Sequence, residues 1–434
     1  MLPMKHDCLW SGPPSVAEAT LDNGLRIVAI PRSRGRAVTH MIWYGVGAMD
    51  DPVDKSGLSH FLEHLMFKGT ERFPEDSFSN FIHEVGGREN AMTHRLWTNY
   101  YQVVPSEHLR ACMEYEADRM AGPLLHEPVV AAERDVVLAE RGQTSDNNPT
   151  ELLIEAMQTA MFPAHQCGRP IIGWRHEIEG LSGVDALRHA ARFYRPDNAI
   201  VVVAGAVEAE TVFGLAREVY STLPRGVGPV ERIRLVTPPR RVHHRLTLPS
   251  AQVRQPMLRR IYAGFPPGFP DLESAAAALT VAADMLGRGQ LGLLHGRLVD
   301  DDGCAQSVNL TYLRDTFPER SVSILTAVPS IETSLDVLDA ALDTALVEIR
   351  KNGIPAETLA SSKHQIVAEM TYEEDSAMTL AQRFGEALIN GRSLADVAAW
   401  GGRIFAVTAD DVVRALTHFE PGAAVTGFLV GKEA

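Results

Sequence analysis

The stretch GLSHFLEHLMFKGT, residues 57–70, carries two histidines four positions apart with a glutamate between them. At about 100° per residue, its apolar side chains share one stripe of a helix, and His60, Glu63 and His64 share the opposite face. Two neutral imidazoles at this spacing can each point one nitrogen at a single Zn²⁺, and the glutamate is offset towards a water molecule on the ion. The spacing predicts a metal-binding helix. The alternative is an ordinary helix with a solvated polar face.

A second predicted helix, PVVAAERDVVLAER at residues 128–141, has an unusual distribution of charge. The helical period places Glu133 and Glu140 in the middle of its apolar stripe. Burying two carboxylates there costs several kcal/mol unless cations or strong donors meet them. A zinc ion accepts a carboxylate oxygen as a third ligand, so this helix can complete the site, and salt bridges to arginines elsewhere are the alternative. The stripe consists of Val129, Val130, Val136 and Val137.

Composition limits the classes of partner. The chain has 434 residues and a formal net charge of −14, which opposes binding to nucleic acids and to anionic membranes. No run approaches the roughly 20 apolar residues of a membrane span, and the first residues lack the pattern of a signal peptide. We therefore expect no nucleic-acid or membrane partner. The expected location is the cytoplasm, or the periplasm if an export signal has been removed.

The order of predicted elements indicates two domains. Strand patterns rich in Val, Ile, Trp and Tyr alternate with amphipathic helices in the first half, and residues 223–241 concentrate Pro, Gly and Arg as linkers do. The second half repeats the order of apolar strand, acidic turn and helix at residues 260–286. This predicts an α+β fold of two homologous two-layer α/β domains, residues 1–222 and 242–434. Each is a mostly antiparallel sheet covered by helices.

These segments resemble the M16 family of zinc metallopeptidases, the inverted-motif group that includes pitrilysin, insulin-degrading enzyme and mitochondrial processing peptidase. The resemblance rests on HFLEH at 60–64 with Glu140 downstream, on GGRENAMTHRLWTNYY at 86–101, and on ERDVVLAER at 133–141. Length and division into halves fit the shorter M16B subgroup. The resemblance implies paired domains of the LuxS/mitochondrial processing peptidase type.

The resemblance also implies roles for individual residues. It assigns His60, His64 and Glu140 as the ligands of one Zn²⁺ per chain, and Glu63 as the general base that deprotonates water. Glu133 matches the family's second glutamate on that helix and supports the catalytic site without binding the ion. The implied reaction is metal-assisted hydrolysis of peptide bonds.

Asn90 and Ala91 lie in the segment that forms an edge strand beside the zinc in the family. The resemblance implies that this strand pairs with the backbone of an extended substrate, which leaves side-chain selectivity loose. Peptides and small unfolded proteins are therefore the expected substrates. For Asn90, an amide in a turn or at a strand end is the alternative.

One part of the family pattern is missing. Active single-chain relatives carry an arginine and a tyrosine in the second domain, and the matching stretch here, LVDDDGCAQ, has Val299 and Gln306 at those positions. Neither side chain replaces a guanidinium, and Arg297 is the one nearby substitute. We therefore expect this chain to be the zinc-bearing member of a heterodimer whose homologous M16 subunit supplies the Arg/Tyr pair. A non-catalytic scaffold subunit and a zinc hydrolase of non-peptide substrates are the alternatives.

Overall fold

A computed structural model describes residues 15–33, 35–235, 242–265, 268–317 and 320–432. Within these residues the chain forms two β-sheets that are covered by helices, which confirms the α+β fold class. The helices of the first half are α1 (Leu58–Leu65), α2 (Ser77–Glu84), α3 (Leu109–Ala121), α4 (Glu127–Arg141), α5 (Pro149–Met161), α6 (Arg175–Ile178), α7 (Gly183–Phe193) and α8 (Ala209–Tyr220). Those of the second half are α9 (Leu272–Gly287), α10 (Leu293–His295), α11 (Leu335–Asn352), α12 (Ala356–Glu373), α13 (Ala377–Ile389), α14 (Leu394–Ala406) and α15 (Ala409–Ala415).

The first sheet has six strands in the order β1-β2-β6-β3-β5-β4. Strands β2 and β6 are parallel, and the other neighbours are antiparallel. The central strand β6, with the sequence AIVVVAG, is buried along its whole length because both faces of the sheet are covered. Strand β4 lies at the edge. The strands are β1 (Ala17–Thr20), β2 (Arg26–Pro31), β3 (Ala37–Tyr44), β4 (Arg88–Thr93), β5 (Thr98–Pro105) and β6 (Ala199–Gly205).

The second sheet repeats this topology. Its order is β7-β11-β8-β10-β9, with β7 and β11 parallel and the remaining pairs antiparallel. Each strand takes the place that β2 to β6 take in the first sheet, in the same chain order. The faint repeat in the sequence therefore corresponds to β3 followed by α1 and to β8 followed by α9. The strands are β7 (His244–Ser250), β8 (Met257–Ala263), β9 (Ala305–Phe317), β10 (Arg320–Pro329) and β11 (Ala424–Gly431).

The two halves exchange one helix each. Helix α5 from the first half packs on β7 and β11 of the second sheet, and α13 from the second half packs on β3 and β6 of the first. Met157 of α5 is buried against that sheet, and Phe384 of α13 is buried in a cluster with Trp43 of β3. Each sheet therefore has its own helices on one face and a helix of the other half on the opposite face.

Both exchanged contacts include a glycine where no side chain fits. A Cβ at Gly385 of α13 would lie 2.1 Å from the indole Nε1 of Trp43, and a Cβ at Gly427 of β11 would lie 2.3 Å from Sδ of Met157. The backbones approach closely at these two points because glycine has no Cβ.

The predicted linker, residues 223–241, follows α8, and its last six positions, 236–241, lie outside the described residues. The domain limits at 1–222 and 242–434 stay a prediction. No helix in the described part of the chain is long and apolar enough to cross a membrane.

Candidate metal centre

Helix α1 starts where a buried aspartate caps it. Asp51 accepts the backbone N–H of Gly57 at 2.8 Å and that of Ser59 at 2.9 Å, and these are among the N–H groups that a helix leaves unpaired at its first turn. Burial raises the pKa of Asp51 to about 7, against the opposing effect of the Ser59 hydrogen bonds. Gly57 has φ +86°, and a Cβ there would meet the carbonyl oxygen of Ile172 at 2.4 Å. The cap fixes the first turn of the helix that bears the histidines.

The structure brings three of the predicted site residues together. The ligand atoms of His60, His64 and Glu140 all lie within 4.8 Å of one another, and this is the only such cluster of three or more potential ligands among the described residues. Oε2 of Glu140 is 3.7 Å from Nε2 of His60 and 3.4 Å from Nε2 of His64. That oxygen is buried and has no hydrogen-bond partner in the described part of the chain. Two imidazole nitrogens and one carboxylate oxygen are a ligand set that zinc accepts.

Glu133 lies behind this cluster. Its Oε1 is 2.8 Å from Nδ1 of His64, and its Oε2 is 2.8 Å from the ammonium group of Lys68. The contact holds Nδ1 of His64 and leaves Nε2 facing Glu140. A carboxylate on the far nitrogen of a histidine is the usual way that a metal-binding imidazole is oriented.

One detail of the predicted apolar stripe on α4 is wrong. Val130, Glu133 and Val137 are buried, but Val136 is 49% exposed. The face of α4 that packs on α1 contains Val130, Glu133 and Val137, at the spacing i, i+3, i+7. This face is narrower than the predicted stripe. Glu133 and Glu140 are seven residues apart, so they lie on the same face.

Glu63 is buried beside the cluster and has its own donor. The hydroxyl of Thr93 donates to its Oε2 at 2.6 Å. Burial raises the pKa of Glu63, and the Thr93 hydrogen bond opposes this rise. A carboxylate with a raised pKa is better matched to accepting a proton near neutral pH than an exposed one.

The pKa values of the two histidines are shifted in opposite directions. Burial and the neighbouring His64 together lower the pKa of His60 to about 4, against the opposing charge of Glu140. Burial also opposes the charge on His64, but the hydrogen bond to Glu133 and the nearby carboxylate of Glu140 outweigh it and raise the pKa of His64 to about 9. The contact with His64, at 3.4 Å, holds the pKa of Glu140 below its usual range. Of the two histidines, His64 is therefore the one that favours the protonated form at neutral pH.

A cavity of about 590 Å³ opens beside the cluster, and its lining residues in the described part of the chain all lie between His60 and Ile172. Edge strand β4 forms one wall. Asn90 lines the cavity, and its Oδ1 accepts a hydrogen bond from the backbone N–H of Ala91 at 2.9 Å. The side chain of Ala91 is buried in the hydrophobic core of the first half. Among the described strands β4 pairs only with β5, so its other edge is available to an extended chain.

No described residue of the second half lines this cavity. Val299 packs against the hydrophobic core of the second half. The side chain of Gln306 accepts a hydrogen bond from the side chain of Gln255 at 2.7 Å. Arg297, the nearby alternative, is 3.4 Å from Asp302 and 3.3 Å from Glu348. These three side chains therefore interact with residues of the second half.

Sequence reasoning missed three side chains that support the site: Asp51, Lys68 and Thr93. Two of them had a usable signal. Lys68 follows His64 by four positions and continues its helical face past the end of α1, and Thr93 shares a strand face with Ala91 at i+2. Asp51 lies in a loop, where no periodicity indicates its partner.

Comparisons with known proteins find relatives along most of the chain. A family model described as Insulinase (Peptidase family M16) matches residues 26–174, and one described as Peptidase M16 inactive domain matches residues 184–366. The zinc protease PqqE of Helicobacter pylori is 25% identical over 421 residues, which cover 96% of this chain and 93% of that protein. An uncharacterized zinc protease of Mycobacterium leprae is 34% identical over 212 residues, 49% of this chain and 47% of that protein.

Among solved structures, the crystal structure of a protease from Helicobacter pylori matches with a TM-score of 0.88 at 24% identity. The match covers 96% of this chain and 99% of that chain, and it shows that the two share one fold. The two family models together span the metal cluster, the edge strand and most of the second half. The chain therefore belongs to peptidase family M16.

Proposed function

We propose that this chain is a zinc-dependent endopeptidase subunit that hydrolyses peptide bonds in extended peptides or small unfolded proteins. The observation that carries the proposal is the convergence of His60, His64 and Glu140, with buried Glu63 beside them. Relatives named as zinc proteases in Helicobacter pylori and Mycobacterium leprae support it.

The donor set fits a single zinc ion per chain. His60 and His64 offer neutral nitrogens once His64 gives up its proton, and Glu140 offers a buried carboxylate oxygen without another partner among the described residues. Bound zinc would supply Lewis-acid activation of a water molecule and of the scissile carbonyl. Three protein ligands leave a coordination position for that chemistry.

Glu63 is the proposed general base. Its carboxylate takes a proton from the attacking water and later returns it to the leaving amine. The hydroxyl of Thr93 occupies Oε2, so Oε1 is the oxygen that remains for proton transfer. Thr93 thereby sets which way the carboxylate faces.

Glu133 is a positioning residue. It fixes the ring of His64 through Nδ1 and is itself paired with Lys68, so it acts through the ligand. Its proposed contribution is to raise the basicity of His64 and to hold the ring's orientation.

Substrate binding is proposed at the free edge of β4. An extended peptide added there forms backbone hydrogen bonds alongside Asn90 and Ala91 and reaches Glu63 across the cavity. Because such pairing reads the backbone, an extended or unfolded chain is the substrate class that it fits.

The partner requirement is also proposed. An oxyanion that forms during hydrolysis needs a donor, and loss of such a donor costs about 10² to 10³ in kcat. Arg297, Val299 and Gln306 all contact residues of the second half, and none lines the cavity. We propose that a homologous M16 subunit with the Arg/Tyr pair completes the site in an M16B-type heterodimer.

The test is to purify the chain alone and together with an M16-like chain that carries Arg and Tyr but lacks HxxEH. Zinc content is measured by mass spectrometry, and turnover with a quenched fluorescent peptide. Glu63→Gln should keep one zinc per chain and lose about 10²- to 10⁴-fold in kcat, because only proton transfer is removed. The matched control is Glu127→Gln, an exposed carboxylate on α4, which should keep both zinc and turnover.

Each alternative has its own result. Full turnover by the chain alone contradicts the partner requirement. A wild-type chain that stays zinc-free after reconstitution contradicts the peptidase and supports a scaffold subunit. A zinc-loaded complex that cleaves no peptide contradicts the proposed substrate class.

A further inference from the structure

Glu140 lies in the last turn of α4, where a helix has the least support from its own hydrogen bonds. The helix ends one residue later, at Arg141, and the chain continues as a short π-helix, Gly142–Asp146. Helix ends fray, and π-helical segments are uncommon. The buried residues that pack α4 on α1 all precede Glu140, so the position of this candidate ligand depends on a further support.

The side chain of Arg141 is the buried anchor of this turn. It is 5% exposed, and its Nη1 and Nη2 are each 3.1 Å from a different carboxylate oxygen of Glu155. Nη1 also donates to the carbonyl oxygen of Gly173 at 2.6 Å. A guanidinium paired with a carboxylate through two parallel contacts is fixed in orientation as well as in distance. Because Arg141 directly follows Glu140, its fixed side chain restrains the backbone of the ligand.

The other end of this ion pair lies on α5, between the metal cavity and the second sheet. Ile154, Glu155 and Gln158 of α5 line the cavity. Leu153 and Met157 of the same helix are buried in a cluster with residues of β8, β10 and β11. A packed helix moves as a rigid element, so a shift of α5 on the second sheet carries Glu155 with it.

Other hydrogen bonds of α5 reach different parts of the first half. Nη2 of Arg95 donates to the side chain of Gln158 at 2.8 Å, and the hydroxyl of Thr159 donates to the carbonyl oxygen of Gly168 at 3.0 Å. Among the described residues, the pair of Arg141 and Glu155 is the ion pair that joins α5 to the last turn of α4. It therefore provides a direct path from the second sheet to the ligand.

We propose that the second half of the chain positions Glu140 for metal binding, through α5 and the ion pair between Glu155 and Arg141. Both are positioning residues, since neither belongs to the candidate metal cluster. The inference rests on the proposed zinc site, and it assigns a task to the half that supplies none of the three candidate ligands. A change on the second sheet should therefore alter zinc affinity.

The first test is zinc affinity of the full chain, measured by competition with a chelator. Glu155→Gln should weaken binding about tenfold, as the loss of a group that holds a metal ligand typically does. Glu151→Gln is the matched control. Glu151 is an exposed carboxylate one turn earlier on α5 that lines the same cavity and makes no ion pair with Arg141. It removes the same charge from the cavity, so wild-type affinity in this variant separates positioning from general electrostatic attraction.

A double variant tests whether Glu155 acts through Arg141. Arg141→Gln with Glu155→Gln should bind zinc no more weakly than Arg141→Gln alone, because the effects of coupled residues do not add. The visible absorption spectrum of the cobalt-loaded chain gives a second readout. Its bands depend on the geometry of the ligands, so they should change in Glu155→Gln and stay as in the wild type in Glu151→Gln.

The third test is a substitution in the second half. Gly427→Val on β11 forces a side chain against α5, where Met157 lies 2.3 Å and Leu153 3.1 Å from an added Cβ. The displaced helix should weaken zinc binding about threefold or more. Gly385→Val is the matched control, because it overpacks the other exchanged contact, between α13 and Trp43, and should keep wild-type affinity.

The outcomes distinguish this inference from the proposed function. A wild-type chain that binds no zinc contradicts both together. A wild-type chain that binds zinc, with unchanged affinity in Glu155→Gln or in Gly427→Val, overturns the inference alone. So does an equal loss of affinity in Glu151→Gln or in Gly385→Val. Circular dichroism checks that each variant is folded, and Gly427→Ala replaces Gly427→Val if the valine variant is not.

Discussion

Helices α1 and α9 occupy the same place in the two halves, and of the two only α1 carries candidate metal ligands. Each follows the third strand of the repeated five-strand order, which is β3 in the first sheet and β8 in the second. Helix α1 packs against α4, and α9 packs against the corresponding helix α12. Helix α1 has eight residues and leaves its polar face towards a cavity. Helix α9 has sixteen, and eleven of them are buried, mostly alanines.

The difference shows that a shared fold does not by itself determine the chemistry of a site. On α9 the place of a polar face is filled by small apolar residues that allow close packing on all sides. Its polar contact with α12 is the hydrogen bond from Ser362 to Asp284, which also pairs with Arg288. The first half keeps one open face at α1, and the candidate site depends on that face.

Removal of a ligand should have the largest effect. His64→Ala deletes one of three donors, so we expect zinc content to fall from one per chain to near zero and turnover to fall to background, with the fold retained. The equivalent change in the other half, Asp284→Asn on α9, should keep one zinc per chain. Loss of zinc from the α9 variant alone would contradict the assignment of the site to the first half.

The exchanged helices should be sensitive to one methyl group. Gly385→Ala and Gly427→Ala each force a side chain into a filled space, and overpacking of this kind costs about 1–3 kcal/mol. Gly385→Ala should cost more, because the Trp43 ring is rigid whereas Met157 can change rotamer. The measurement is the free energy of unfolding in urea.

Gly402→Ala is the matched control for the exchanged glycines. Gly402 lies in α14 with nothing within 4 Å of an added Cβ, so alanine should leave stability unchanged or raise it slightly. Equal stability of all three variants would mean that the exchanged helices are packed less closely than the Cβ distances at Gly385 and Gly427 indicate.

Glu133→Gln tests the support behind α1. It keeps the size of the side chain and removes the charge that orients His64, which typically costs 10- to 100-fold in metal affinity or activity. We expect weaker zinc binding, measured by competition with a chelator. Glu127→Gln on the same helix should bind zinc as the wild type does, and an equal effect of both variants would exclude a specific role for Glu133.

Zinc affinity should depend on pH through His64. The pKa of this histidine is raised to about 9, so below that pH zinc must displace one proton, and apparent affinity should fall about tenfold per pH unit. The measurement is calorimetry in buffers of different ionization enthalpy, which counts the released protons. In Glu133→Gln the fall should begin at a lower pH. Constant affinity between neutral pH and about pH 9 would contradict the raised pKa.

Much of the first half could be predicted from local patterns. Helices α1 and α4 match the predicted segments except at their ends, and the candidate ligand set lies on these two helices, whose periodicity indicates both buried faces. The contact of Glu133 with Lys68 and His64 was not predicted, because the apolar stripe shows that a carboxylate is buried but not which cation meets it. Val136 was placed on the wrong face because the stripe was taken to be wider than the contact with α1.

The exchange of α5 and α13 could not be predicted from sequence. An amphipathic pattern shows that a helix buries one face, but it does not identify which sheet covers that face. The cavity of about 640 Å³ that both Arg232 and Arg392 line has the same origin. Arg232 and Arg392 are far apart in the chain, and only the packing of one half on the other brings them to one cavity.

The exchange of helices also determines how this protein can be divided. A fragment that ends at the linker would keep Trp43 and the apolar face of the first sheet on which α13 packs. It would lose α13 itself, so this face would be uncovered. The other fragment would lose α5 from the outer face of the second sheet. Either piece alone would expose a large apolar surface and tend to aggregate. Two pieces produced together can cover each other, so a cut in the linker should yield a complementing pair instead of two independent domains.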